Sequence, residues 1–204
     1  MTGCAEHIVS SDLARDALTE VMNIGAGNAL SSLSRLVGGK RMLPSLPECM
    51  DSCAAGTLPG TEPHGIVVCI RVTGVIRCTV LVLFDDQSAW ALAGELLGRP
   101  VDEASFGFEE EGAVVEAVNI ISCSFLGALA TLFHVVLTPT APVAMYGRLK
   151  DLLADHLDVG CVVLTSRFAS ASGAISGRLL LLADEEGVGS ILQVLGVGTG
   201  GAPH

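Results

Sequence analysis

The sequence predicts an α/β (α+β) fold: one sheet of roughly six strands, two long helices and shorter flanking helices, built from two copies of one unit about a local two-fold axis. Three observations predict it. A long helical stretch recurs at a constant offset. The same order of extended and helical segments follows each copy. Half of the 204 residues are hydrophobic and 16% are charged, which suits a large core and is too apolar for a disordered chain.

The recurring stretch is Glu20 to Leu36 laid over Glu116 to Leu132. It coincides without gaps, at an offset of 96, at Glu20/Glu116, Asn23/Asn119, Ile24/Ile120, Leu30/Leu126, Leu33/Leu129 and Leu36/Leu132. The leucines recur at helical spacing and form the core stripe of each helix. A first repeat is expected over 10–98 and a second over 104–196. Arg99-Pro100 through Glu103 joins them, and 197–204 is a flexible tail.

In the first unit a helix spans about 11 to 37, capped by Ser11 or Asp12 and ended by Val37-Gly38-Gly39. An extended segment follows from Met42 to Glu48, held open by Pro44 and Pro47. A loop with Gly56, Pro59, Gly60 and Pro63 leads to strands at 65–73 and 76–84, with Gly74 at their turn. A helix over 88–97 follows, with Ser88 as its cap. In the second unit the helix covers about 109–134 and the extended segment 136–145. A short helix over 148–156 comes next, then strands at 159–168 and 174–183 and a helix reaching Leu195. In both units the last strand ends in acid, at Asp85-Asp86 and at Asp184-Glu185-Glu186.

The formal net charge of −11 argues against binding nucleic acid or an anionic membrane through a general basic surface. Glu6, Asp12 and Asp16 precede any apolar run, unlike a signal peptide. From Ala117 to Gly147 no Asp, Glu, Lys or Arg occurs, a length that could span a bilayer. Asn119, Ser122, Ser124 and His134 interrupt that run, and Pro139 and Pro142 break it. It reads as a buried helix and a buried strand, in a cytoplasmic protein without membrane insertion. The seven cysteines are Cys4, Cys49, Cys53, Cys69, Cys78, Cys123 and Cys161, with no Cys-x-x-Cys pair. They read as reduced thiols serving as small apolar side chains, with no metal site.

Chemistry enters through asparagine. Asn23, Asn28 and Asn119 are the only three, and two of them follow a glutamate by three residues. With 12 glutamates in the chain, random placement would do this in roughly one per cent of cases. Residues i and i+3 share a helix face, so Glu20 with Asn23, and Glu116 with Asn119, each set a carboxylate beside an amide. An amide both donates and accepts and can hold a water in a fixed orientation. Hydrolysis of an acyl phosphate needs little more, because its transition state is loose and the carboxylate leaves readily. Gly25-Ala-Gly27-Asn28 resembles a nucleotide loop only superficially. Its small residues fit close approach of the two long helices, or of a partner.

These residues resemble the CheC-like family of chemotaxis phosphatases, whose relatives include CheX and the phosphatase part of FliY. The family pattern is Asp or Ser, three residues, Glu, two residues, Asn, and later a proline. Asp16, Glu20 and Asn23 match at the first site, with Leu46 where the proline would fall and Pro47 next to it. Glu116, Asn119 and Pro142 match at the second, with Gly112 in place of Asp or Ser. Two sites resemble CheC or FliY rather than the single-site CheX. FliY carries a further flagellar-switch domain for which nothing after residue 196 is long enough, so a CheC-type chain is expected.

The resemblance implies hydrolysis of the aspartyl phosphate of a CheY-like response regulator. Asn23 and Asn119 orient water, Glu20 and Glu116 pair with the regulator's lysine, and Asp16 contributes to partner binding. It implies no cofactor in this chain, with Mg2+ held by the regulator. It also implies CheD as a second partner, through Arg148 to His156 with Asp151 as a contact. That segment reads equally as an ordinary amphipathic surface helix. The competing function is a non-catalytic adaptor or phospho-CheY sink that binds CheD or the flagellar motor.

Overall fold

The computed structural model describes residues 11–55, 58–157 and 160–197. Ser10, Gly56, Val159 and 198–204, on which some expectations fell, lie outside these residues, as do Cys4 and Glu6. The elements run α1 (Asp12–Leu36), β1 (Met42–Pro44), β2 (Glu48–Asp51), α2 (Ser52–Ala55), β3 (His64–Gly74), β4 (Cys78–Asp85) and α3 (Asp86–Leu97). Then come α4 (Phe108–Phe133), β5 (Leu137–Pro139), β6 (Val143–Arg148), α5 (Leu149–Ala154), β7 (Val162–Ser170), β8 (Ser176–Ala183) and α6 (Glu185–Val194).

All strands join one eight-stranded sheet ordered β1-β7-β8-β4-β3-β5, with β2 also on β7 and β6 also on β3. Every ladder is antiparallel. Six extended segments were expected and eight strands form, because each proline-bearing segment enters the sheet as two pieces. Pro47 and Pro142 stand immediately before β2 and β6, where a residue without an N–H interrupts a ladder. Each broken segment crosses to the other half: β1 and β2 line β7, while β5 and β6 line β3. The halves meet at β4–β8, whose ladder from Thr79↔Leu182 to Leu83↔Arg178 centres on Leu81↔Leu180. The order therefore reads alike from either edge, as a local two-fold near Leu81 and Leu180 requires.

Both sheet faces are covered. On one face α1, α3, α4 and α6 bury Leu18, Met22, Leu33, Leu92, Ile121, Phe125, Leu129 and Leu192 against Ile66, Val68, Val80, Val82, Phe84, Leu179 and Leu181. On the other, Ala55 of α2 and Leu149 and Leu153 of α5 cover Val67, Leu81, Leu83, Val163, Leu180 and Leu182. Full burial of one such aliphatic or aromatic side chain contributes about 1.5–3 kcal/mol, so the face under α1, α3, α4 and α6, which holds the larger cluster, dominates. The uncharged stretch is accounted for here. α4 is long and apolar enough to cross a membrane, yet Val114, Val118, Ile121, Phe125 and Leu129 turn into this core.

Caps follow chemistry. Ser11 caps α1 by accepting from the Ala14 amide. α3 starts earlier than expected, because Asp85 rather than Ser88 is its cap and accepts from the Ser88 amide at 2.7 Å. Asp184 caps α6 in the same way through Gly187. The expected linker is pinned: Arg99 donates to Glu109 and Glu110 at the start of α4, and Glu110 accepts from the Gly107 amide at 2.8 Å.

Candidate functional site

α1 and α4 pack against each other on one face of the sheet, so their inner sides are fixed by burial. Ala14, Leu18, Val21, Met22, Gly25, Ala26 and Ala29 are inward on α1, as are Val114, Ala117, Val118, Ile121, Ser122 and Phe125 on α4. What remains is an outward stripe at helical spacing. On α1 it holds Asp16, Glu20, Asn23, Gly27 and Ser31, all exposed. On α4 it holds Gly112, Glu116, Asn119, Cys123 and Gly127, all exposed except half-buried Asn119. The two stripes match position for position at the offset of 96.

Within each stripe the acid grips the amide. Asn23 Nδ2 donates to Glu20 Oε2 at 3.4 Å, and Asn119 Nδ2 donates to Glu116 Oε2 at 3.5 Å. Bonds this long are weak and hold the amide without consuming it. The nitrogen sits on the carboxylate side, so the planar amide presents its oxygen on the opposite side, as an acceptor for a water. At the second site that oxygen also lies 4.0 Å from Cys123 Sγ. The first site has Gly27 at the matching place, with nothing within 4 Å of where a Cβ would be.

The helices meet closely because Gly25 has no side chain: a Cβ there would lie 2.4 Å from Phe125 Cε2. Ser32 Oγ and Ser124 Oγ bridge the same seam at 2.8 Å. The small residues of the Gly25-Ala-Gly27-Asn28 run thus divide, Gly25 serving helix packing and Gly27 the outer stripe. The expected core stripes also form: Leu30, Leu33, Leu126 and Leu129 are buried, with Leu36 and Leu132 packed at the margin.

Asp16 lies one turn before Glu20 in the same stripe and joins the first site. Asp151 does not join either pair. It is exposed on α5, whose Leu149 and Leu153 pack on the opposite face of the sheet. The proline mismatch in the first copy has a structural answer. Pro47 precedes β2 as Pro142 precedes β6, so the two prolines occupy equivalent places and the connecting segment is one residue longer in the first half.

Cys49, Cys69, Cys78, Cys123 and Cys161 form no disulfide. Burial pushes Cys49 up to about 11 and Cys78 up to about 12, while Cys123 is exposed. Sequence reasoning passed over Arg178, a buried cation. Its signal was an arginine heading the otherwise apolar run Leu179 to Ala183.

Comparison with known proteins finds relatives of this sequence and fold. A family profile described as the CheC-like family matches residues 13–48, which include Asp16, Glu20 and Asn23. The chain is 26% identical over 199 residues to the CheY-P phosphatase CheC of Bacillus subtilis (strain 168), covering 89% of this chain and 93% of that protein. Among solved structures, Thermotoga maritima FliY superposes with a TM-score of 0.70 at 15% identity, over 92% of this chain and 98% of that one. CheX in the CheX–CheY–BeF3–Mg2+ complex from Borrelia burgdorferi superposes with a TM-score of 0.58 at 17% identity, over 80% and 95%.

Proposed function

We propose that this chain is a member of the CheC-like family, to which it is similar, and that it hydrolyses the aspartyl phosphate of a CheY-like response regulator, with Glu20/Asn23 and Glu116/Asn119 as two catalytic sites. The observation that carries this reading is the matched pair of outward stripes, each with an amide held by a carboxylate one turn away. A relative of the same fold was crystallised with CheY, BeF3 and Mg2+, a trifluoride that stands in for the phosphoryl group. The similar Bacillus subtilis chain is a CheY-P phosphatase.

In the proposed reaction the regulator supplies the phosphorylated carboxyl group, the Mg2+ and a lysine. The stripe docks so that Asn23 or Asn119 accepts a hydrogen bond from a water in line with the scissile P–O bond. Water attacks phosphorus, the regulator's carboxylate leaves with the electron pair, and inorganic phosphate departs. Placing the water removes its orientational freedom before the reaction. Glu20 or Glu116 pairs with the lysine, fixing register through a charge-assisted bond. Asp16 extends that acidic contact at the first site. Asp151, on the far face, is free to serve CheD while a regulator occupies α1 or α4.

An adaptor that only binds would need no amide at 23 and 119, so the enzyme reading uses more of what the stripes contain. The test is loss of phosphate from a radiolabelled CheY-type regulator. Asn23→Ala with Asn119→Ala removes the acceleration while binding of the beryllofluoride-activated regulator persists. A double variant as active as the parent refutes the mechanism.

A further inference from the structure

The far face of the sheet carries a feature that the two stripes do not use. A cavity of about 610 Å³ opens among the β1 end, the 58–63 loop, the start of α5 and the turn end of the β7–β8 hairpin. Its lining is largely apolar, with Leu43, Pro44, Leu83, Leu149 and Phe168 among its walls, and with Arg167 and Arg178. The volume lies in the ordinary range for a small-ligand site.

Arg178 is 6% exposed. Its Nη2 donates to the Pro59 carbonyl at 2.7 Å and its Nη1 to Thr165 Oγ1 at 3.4 Å. Neither acceptor is charged, and a guanidinium has five N–H donors. No ion pair of Arg178 forms among the described residues. Exposed Glu48, whose Cα partner on β7 is Thr165, acts on it only at longer range. Asp85 also lines the cavity, but its carboxylate caps α3.

Arg178 is moreover the direct cross-strand partner of Arg167. Like charges directly opposite on a sheet destabilise it, and a buried cation without an anion is costly. The local two-fold does not impose this arrangement. Arg71 takes the place of Arg167 in the first half and faces Thr79, so the arginine pair is particular to the second half.

We propose that this cavity binds a small organic anion, a carboxylate or phosphate monoester joined to an apolar body, with its oxyanion between Arg178 and Arg167. The anion supplies the direct ion-pair partner that Arg178 lacks among the described residues, and the apolar walls take the body. Arg178 offers a planar fork suited to a two-oxygen head group. Since Leu149 opens α5 and lines the cavity, an occupant also rests against the helix that bears Asp151.

The test is titration of the full chain with benzoate and with phenyl phosphate, followed by backbone amide NMR, with benzamide as the neutral control. Saturable shifts are expected at Gly60 and Gly177, with no response to benzamide. The tighter of the two acids identifies the head group. Arg178→Met is expected to weaken binding at least tenfold, and Arg167→Met, at an exposed side chain that leaves the fold intact, several-fold. Absence of saturable shifts with both acids overturns the proposal. So does equal binding of benzamide, or parental affinity in Arg167→Met. Phosphatase activity is not read in this experiment, so its failure leaves the proposed reaction untouched.

Discussion

Replacing Gly25 by alanine tests whether the α1–α4 seam is set by one missing side chain. The added Cβ would stand 2.4 Å from Phe125 Cε2, 2.6 Å from Cδ2 and 2.9 Å from Cζ. Carbon atoms pack at about 3.5–4.0 Å, so the ring must retreat by about 1 Å. Phe125 is fully buried and has little room to do so. Overpacking of this kind costs about 1–3 kcal/mol, offset by about 1 kcal/mol from the better helix propensity of alanine. Gly27, half a turn on, meets nothing within 4 Å. Gly27→Ala therefore collects the propensity gain alone and stabilises by up to about 1 kcal/mol. Urea unfolding of both variants is expected to give midpoints on opposite sides of the parent at unchanged slope. Adding Phe125→Leu should turn Gly25→Ala from destabilising to stabilising, with a coupling energy of about 1–3 kcal/mol. Equal shifts from the two glycine replacements, or no coupling to Phe125, would refute the packing argument.

Two further predictions concern titration and thiol chemistry. The Gly107 amide and the Arg99 guanidinium hold Glu110 below its ordinary value of 4.5. Its folded value is depressed, so its stabilising contribution is present above 4.5 and is lost as pH falls through the depressed value. The acid limb of a stability–pH curve should flatten in Glu110→Gln. Among Cys49, Cys69, Cys78, Cys123 and Cys161, iodoacetamide at pH 8 should label Cys123 first. Burial keeps Cys49 and Cys78 protonated and Cys69 and Cys161 out of reach. Peptide mass mapping of the native protein checks the order, and early labelling of Cys78 would contradict it.

The parts legible in the sequence were those written in local periodicity. Glu20/Asn23 and Glu116/Asn119 could be paired because helical spacing and a gapless offset both survive in one dimension, and the buried leucines beside them obey the same period. Strand pairing was less legible. Nothing near Met42 says that its partner is Ser170, on β7 of the other half, since that choice depends on how two complete units dock. The prolines at 44, 47, 139 and 142 announced extended chain but not that each segment would enter the sheet twice. Ser88 looked like a cap by residue type, yet Asp85 is at the turn because β4 runs to its last residue before the helix begins. Arg178 was missed because burial of a charge is a tertiary outcome: in sequence it differs little from Arg77 or Arg71, which end in solvent.

The account rests on two solvent-facing acid–amide couples that act as separate sites, and phosphate release from a phosphorylated CheY-type regulator by four proteins tests this most directly. The parent, Asn23→Ala, Asn119→Ala and the double variant are compared at equal, subsaturating concentration. Loss of one preorganised hydrogen-bonding group costs about 10²–10³-fold at its own site. Each single variant should therefore keep the share contributed by its intact site, and the two shares should add up to the parental acceleration. The double variant should match the regulator's own rate of decay. A double variant that retains parental acceleration would contradict the account.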